Sequence, residues 1–322
     1  MKPMQAVAAL GLALGMMAIG TAQADTFGSG NNTFTIDFVG VGNAGNANDA
    51  GAGGGSYFSD YGGVGYDYRM GTYEISQDMI TKATNLGMNN VMAGAHTGDE
   101  PAADISWYEA AAFVNWLNEQ VGAHAAYNLS FSSGWSMTLW GVSDQASTGV
   151  DSGTNPYRHK DAYYFLPSED EWYKAAYHQD DGVTANYWDY ATGSNSIPNA
   201  VASGTTADTA VYDGQADPAD ITQAGGLSSY ETMGQNGNVW EWSESAFDGS
   251  NNVNTEDRAG RGGGWSDTEG HLRSSNRSLS DPADEYSNVG FRVASVPEPS
   301  AAVLMLMGLG ALLVRRRAPR AL

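Results

Sequence analysis

The 322-residue sequence predicts one loop-rich α+β domain. Three observations point there. Two segments combine a capping serine, a glutamate three residues later and a following apolar stripe, the pattern that opens an amphipathic helix. Two earlier segments alternate apolar and polar side chains at the period of a strand. Much of the remainder is dense in Gly, Asn, Asp and Ser. With 41 Gly beside 9 Trp and 17 Tyr, the chain is too aromatic for disorder and suits irregular backbone held against large flat rings.

The elements follow in order. Residues 34–41 read as a strand through Phe34, Ile36 and Phe38. Residues 40–65, rich in Gly, Asn and Ala, read as irregular loop. Tyr66, Tyr68 and Met70 predict a second strand within 66–75, and Ser76 is placed to cap a short helix beginning near Gln77. Ser106 and Glu109 form a capping box ahead of Ala110, Ala111, Val114 and Leu117. Ser168 and Glu171 form another ahead of Trp172, Ala175 and Ala176. Capping accounts for both glutamates, so neither is assigned to catalysis. Residues 185–230 read as loop. Beyond them stand GNVWEW at 237–242, RGGGW at 261–265 and GFRV at 290–293. Glycine beside tryptophan implies backbone held close to a packed ring. No repeat or linker divides residues 25–295.

Charge and sulfur narrow the function classes. The formal net charge is −22. Five of the 15 basic residues and none of the 37 acidic ones lie in residues 1–24 and 300–322, so residues 25–299 carry 10 basic against 37 acidic groups. Such a surface repels nucleic acid and favours solubility and divalent cations. The chain has no cysteine, which excludes disulfides, zinc–thiolate sites, thiol nucleophiles and iron–sulfur clusters.

The ends read as processing signals. Residues 1–24 have a charged start at Lys2, an apolar stretch and a small-x-small site ending at Ala24, as a secretory signal does, so signal peptidase is an expected partner. Residues 296–322 begin with Pro297, Glu298 and Pro299, continue as a 14-residue apolar run and end in Arg315, Arg316 and Arg317. As a helix that run spans about 21 Å, short for a ~30 Å hydrocarbon core, and the arginines hold its end in the cytoplasm. A transient membrane anchor awaiting proteolysis fits both facts. The order of motif, apolar helix and arginine cluster resembles the PEP-CTERM sorting signal. That resemblance implies an exosortase-type protease as partner, an inner-membrane intermediate, and release to the periplasm, outer surface or extracellular matrix.

Six body segments, in order, resemble the formylglycine-generating enzyme (sulfatase-modifying factor) family. They are residues 70–76 (MGTYEIS), 105–110 (ISWYEA), 165–172 (FLPSEDEW), 237–242 and 261–265, with the closing pattern of Arg273, Arg277 and GFR at 290–292. The resemblance implies a C-type-lectin-like α+β fold with little regular structure. It implies a calcium site from carbonyls of Gly237 and Val239 and the carboxylate of Glu241, with Asn236 in place of an upstream ligand. It also makes His271, Arg273, Arg277, Arg292 and Trp265 candidates for a ligand groove, although the first expectation for the three arginines is pairing with buried acids and for Trp265 a place in the core. Family oxidases use a copper-binding cysteine pair shortly before the first closing arginine. Residues 265–272 (WSDTEGHL) contain no sulfur, so copper is not expected and no catalytic residue is assigned. The expected function is non-catalytic: binding an envelope polysaccharide or surface protein, or filling the matrix as a scaffold. The alternative is a metal-dependent oxidase with non-cysteine ligands.

Overall fold

The alternation in residues 34–41 produces the strand Phe34–Val41, which buries Phe34, Ile36, Phe38 and Val41 and leaves Thr35 exposed. It is the second strand of a five-stranded antiparallel sheet ordered Gln23–Phe27, Phe34–Val41, Tyr68–Gly71, Ala294–Ser295, Tyr164–Phe165. This computed structural model describes residues 23–50, 60–92, 94, 96–147 and 153–297. The predicted leader before Gln23 lies outside the described residues, as do Glu298, Pro299 and the arginine cluster of the tail. Among the described residues no helix is long and apolar enough to cross a membrane.

The end of the body lies inside this sheet. Ala294 sits opposite both Met70 and Phe165, so the closing strand is flanked on each side. A second sheet is ordered Ser278–Ser280, Arg258–Arg261, Trp240–Ala246, Val289–Gly290. Its last pairing is parallel, with Trp240 opposite Val289 and Glu241 opposite Gly290.

The three predicted helix starts are present. Helix α1 spans Gln77–Asn85, with the Ser76 hydroxyl accepting from the Met79 amide. Helix α2 spans Trp107–Val121 and has both halves of its capping box. The Ser106 hydroxyl accepts the Glu109 amide at 3.3 Å, and Glu109 accepts the Ser106 amide at 2.9 Å. It stops at Gly122, whose φ of 71° is the left-handed conformation that ends many helices. Helix α3 spans Glu169–Tyr177 with the matching Ser168–Glu171 box.

Aromatic packing joins these layers. On α2, Phe113 stacks on Phe34 and meets Phe291 edge-on at 5.7 Å. Two indoles lock the start of α2 to the second sheet reciprocally. Trp107 donates to the Ser243 carbonyl and Trp242 to the Ile105 carbonyl, each at 2.9 Å. Both rings are buried, and the donated bond satisfies the one polar atom each carries.

The structure departs from the sequence reading in the short strands. The strand expected within 66–75 covers only Tyr68–Gly71. The loop expected at 40–65 contains the paired strands Asp49–Ala50 and Asp60–Tyr61. The hairpin Asn128–Phe131/Trp135–Thr138 adds two strands that the sequence reading did not include; each alternates apolar and polar residues but over only four positions, at the lower limit of the strand pattern.

Candidate functional site

The first turn of α3 concentrates buried charge. Glu169 accepts Nε of Arg261 at 2.8 Å and both Nε (2.8 Å) and Nη2 (2.6 Å) of Arg277. Glu171, already the helix cap, receives Nη1 and Nη2 of Arg158 at 2.9 and 2.7 Å. Arg158 turns its other edge to Glu244, with Nη2 to Oε2 at 2.7 Å. Tyr127 donates to Glu244 at 2.8 Å, and Asn155 donates to it as well. The expectation that capping alone explains Glu171 is therefore incomplete: the same carboxylate ties α3 to the strands Thr154–His159 and Trp240–Ala246.

One residue further on, Trp172 donates its indole N–H to Glu241 at 2.8 Å. Glu241 is fully buried and faces the equally buried Arg292. Arg292 uses all five of its N–H donors. Two go to Glu241 at 2.6 Å each, and three go to the carbonyls of Gly71 (2.9 Å), Thr72 (3.2 Å) and Met233 (2.8 Å). Beside this pair lies Glu74, 1% exposed. Asn238 donates to its Oε1 at 3.0 Å, while Oε2 has no hydrogen-bond partner. Gly234 closes over it with φ of 82°, and a Cβ there would lie 2.4 Å from Oε2, so glycine is required twice over. Burial first, and then the Glu241 charge, raise the Glu74 carboxyl to about 8, against the pull of Arg292 and Asn238.

A family model described as the sulfatase-modifying factor enzyme 1-like domain matches residues 53–296. The chain belongs to the sulfatase-modifying factor family. A PEP-CTERM protein-sorting motif matches residues 295–318, so this member is an exported protein subject to exosortase processing. Among solved structures the fold is similar to Treponema denticola variable protein 1, at 19% identity and a TM-score of 0.58, over 86% of this chain and 100% of that one. It is similar to CarF at 16% identity and a TM-score of 0.57, over 82% and 99%. PvdO from Pseudomonas aeruginosa matches at 15% identity and a TM-score of 0.51, over 86% and 100%. At these identities the likeness carries the fold, which is loop-rich, α+β and C-type-lectin-like. A comparison with curated proteins returns no match.

Of the calcium positions named from sequence, the side chains of Glu241 and Asn236 have other partners in this chain. Both oxygens of Glu241 point at a guanidinium, so a cation there would meet a positive charge at close range; Glu241 does not fit a calcium ligand. Asn236 is buried, with its Oδ1 taken by the Ala191 amide. Gly237 has φ of 83°, and a Cβ there would lie 2.1 Å from the Val211 carbonyl oxygen. Val239 is buried against Val211, Ala219 and Trp265. Among the described residues no three His, Asp or Glu side chains converge as a metal set.

The five groove residues do not share one open surface. Arg292 is fully buried, and Arg277 is held by Glu169 and stacks over Phe247. Trp265 is largely buried, edge-on to His96. Arg273 is exposed and lies over the Tyr190 ring, while His271 meets Trp240 edge-on at 5.9 Å. Asp267, passed over in the sequence, organises this region: one of its oxygens accepts the Trp240 indole at 2.7 Å and the Gly264 amide at 2.8 Å. Among the missed groups, Glu244 and Asp267 carry a signal, charge inside segments otherwise rich in Gly, Trp and Ser, whereas Arg158 stands in the polar run 154–161 and gives none. Ala24, the predicted leader cleavage point, pairs with Asp37 in the edge strand, and the next residue, Asp25, accepts Arg69 at 2.6 Å.

Two outcomes follow from this geometry. The folded chain holds the Glu74 proton more tightly than the unfolded chain, where a glutamate titrates near 4.5. That contribution to stability is complete below pH 4.5 and is lost as the pH rises towards about 8. Glu74→Gln should flatten the loss between about pH 5 and 8 in urea melts and exceed wild type in stability above about pH 8; an unchanged pH slope would contradict the assignment. Melting temperatures in calcium and in EGTA should agree within about 1 °C, since an ion held only by the folded state stabilises by mass action. A rise of several degrees with calcium would restore the expected cation.

Proposed function

We propose that this exported domain binds a partner outside the cytoplasm and does not carry out thiol-dependent oxidation. The observation that carries the reading is the complete absence of thiol ligands. The chain has no cysteine, and residues 265–272 offer only hydroxyl, carboxyl and imidazole groups besides Trp265 and Leu272. Copper–thiolate oxidation depends on soft sulfur donors that no other side chain reproduces. The local packing is consistent with this. Asp267 holds Trp240 and Gly264, and Leu272 is fully buried in an apolar cluster, so the segment is built as a structural loop. The protein-sorting motif and an acidic surface support a soluble exported module whose loops meet an envelope polysaccharide or surface protein.

The test uses the purified protein with a cysteine-containing peptide under air, with and without added copper. The expected result is no aldehyde by mass spectrometry and no hydrazide labelling, together with retention of the protein on isolated cell envelopes. Conversion of the peptide cysteine to its aldehyde by this protein alone would overturn the reading.

A further inference from the structure

A cleft of about 510 Å³ opens at the start of α3, in the size range of small-molecule sites, about 300–1,000 Å³. Its walls come from the loop at 46–48, residues 63–66, Ser147 with the strand Thr154–His159, the start of α3, and the end of Trp240–Ala246 with the turn that follows. None of the groove residues named from the family pattern lines it.

Three side chains on this cleft share one arrangement. Asn48 accepts the Gly63 amide on Oδ1 at 2.6 Å, Asn251 accepts the Ala246 amide on Oδ1 at 2.8 Å, and Asp170 accepts the Gly62 amide on Oδ1 at 2.9 Å. A backbone N–H can bond only to the oxygen of an asparagine amide, so both amides have a fixed orientation and leave Nδ2 as the second polar atom. Nδ2 of Asn48, Nδ2 of Asn251 and Oδ2 of Asp170 have no further hydrogen bond among the described residues. Two fixed donors and one fixed acceptor therefore border the same cleft, oriented before any ligand arrives. Tyr66 adds an aromatic wall, its hydroxyl anchored on Glu171 at 2.5 Å.

The charge pattern selects among ligands. Arg158 also lines the cleft, but Glu171 and Glu244 neutralise it, so it offers no net positive charge to an anion. Burial raises the Asp170 carboxyl to about 6, which leaves it ionised at neutral pH, next to Glu169 and Glu171. An acidic or sulfated ligand would be repelled. An apolar ligand would strip water from amides and a carboxylate without replacing its hydrogen bonds. A sugar ring satisfies every group: its hydroxyls accept from an amide and donate to a carboxylate, and its C–H face packs on a tyrosine.

We propose that this cleft binds an uncharged saccharide unit, with Asp170, Asn48 and Asn251 reading its hydroxyls. The proposal rests on the reading of the domain as a binding module and names its ligand class and site.

The experiment is calorimetric titration of the purified full chain with cellobiose, maltose and N,N′-diacetylchitobiose, and with a sulfated heparin disaccharide as the acidic probe. Two variants accompany it. Asp170→Asn keeps the oxygen that holds Gly62 and removes the free acceptor. Ala47→Trp fills the cleft from an exposed wall position whose side chain makes no hydrogen bond. Circular dichroism melts confirm that each variant folds. The expected result is binding of at least one neutral disaccharide, weakened about tenfold or more by Asp170→Asn, as loss of a charge-assisted hydrogen bond implies, and at least as much by Ala47→Trp, whose indole takes the ligand's space. Neutral disaccharide binding that survives Ala47→Trp overturns the cleft while leaving the binding module intact. Absence of neutral saccharide binding, or binding of the sulfated probe alone, also overturns the inference, and retention on envelopes then judges the broader reading separately.

Discussion

The Arg292 guanidinium is the interaction on which the rest of the structure depends. A chain with short strands and long loops has many carbonyl groups that no sheet ladder satisfies, and each needs a partner when buried. Arg292 answers that need with five donors in a rigid plane. It gathers the end of the strand Tyr68–Gly71, the Met233 turn and the Glu241 carboxylate around one point. The residues it joins are separated in sequence by 51 to 221 positions. A hydrophobic contact could bury the same region, but it would leave those carbonyls unpaired.

The other buried charges extend this arrangement. Arg158 between Glu171 and Glu244, and Glu169 between Arg261 and Arg277, attach α3 to the strands around it. Such pairs are not strongly stabilising relative to an apolar core, because desolvation offsets much of the attraction. Removing one partner is costly, about 3–5 kcal/mol, because a charge is left buried alone. The network thus penalises misplacement of loops and specifies one arrangement of an otherwise irregular backbone. The same fixed framework presents the cleft beside α3, where backbone amides hold Asn48, Asn251 and Asp170 by one oxygen each.

Much of this was legible in the sequence, for local reasons. Capping boxes are written in four consecutive residues, and Ser106–Glu109 and Ser168–Glu171 both stand where their spacing put them. The strand Phe34–Val41 follows from its own alternation. What escaped reading is long-range. Nothing near Glu74 announces that Gly234 and Asn238 will close over it, since those contacts span 160 and 164 positions. The closing arginines were visible as a pattern, and Arg292 and Arg277 face buried glutamates, the role expected of them ahead of an open groove, but which glutamates they meet was not legible. Identical residue types serve recognition or architecture depending on what the fold brings opposite them, and Glu241 illustrates this: a carboxylate suited to a cation is here occupied by a guanidinium.

Thermal and urea unfolding of Arg292→Lys tests the central claim most directly. Lysine keeps the positive charge and loses the planar five-donor fork, so charge and geometry separate in one substitution. The account expects a loss of about 3 kcal/mol or more, comparable to breaking a buried pair. Stability within about 0.5 kcal/mol of wild type, the range of an ordinary surface change, would contradict it.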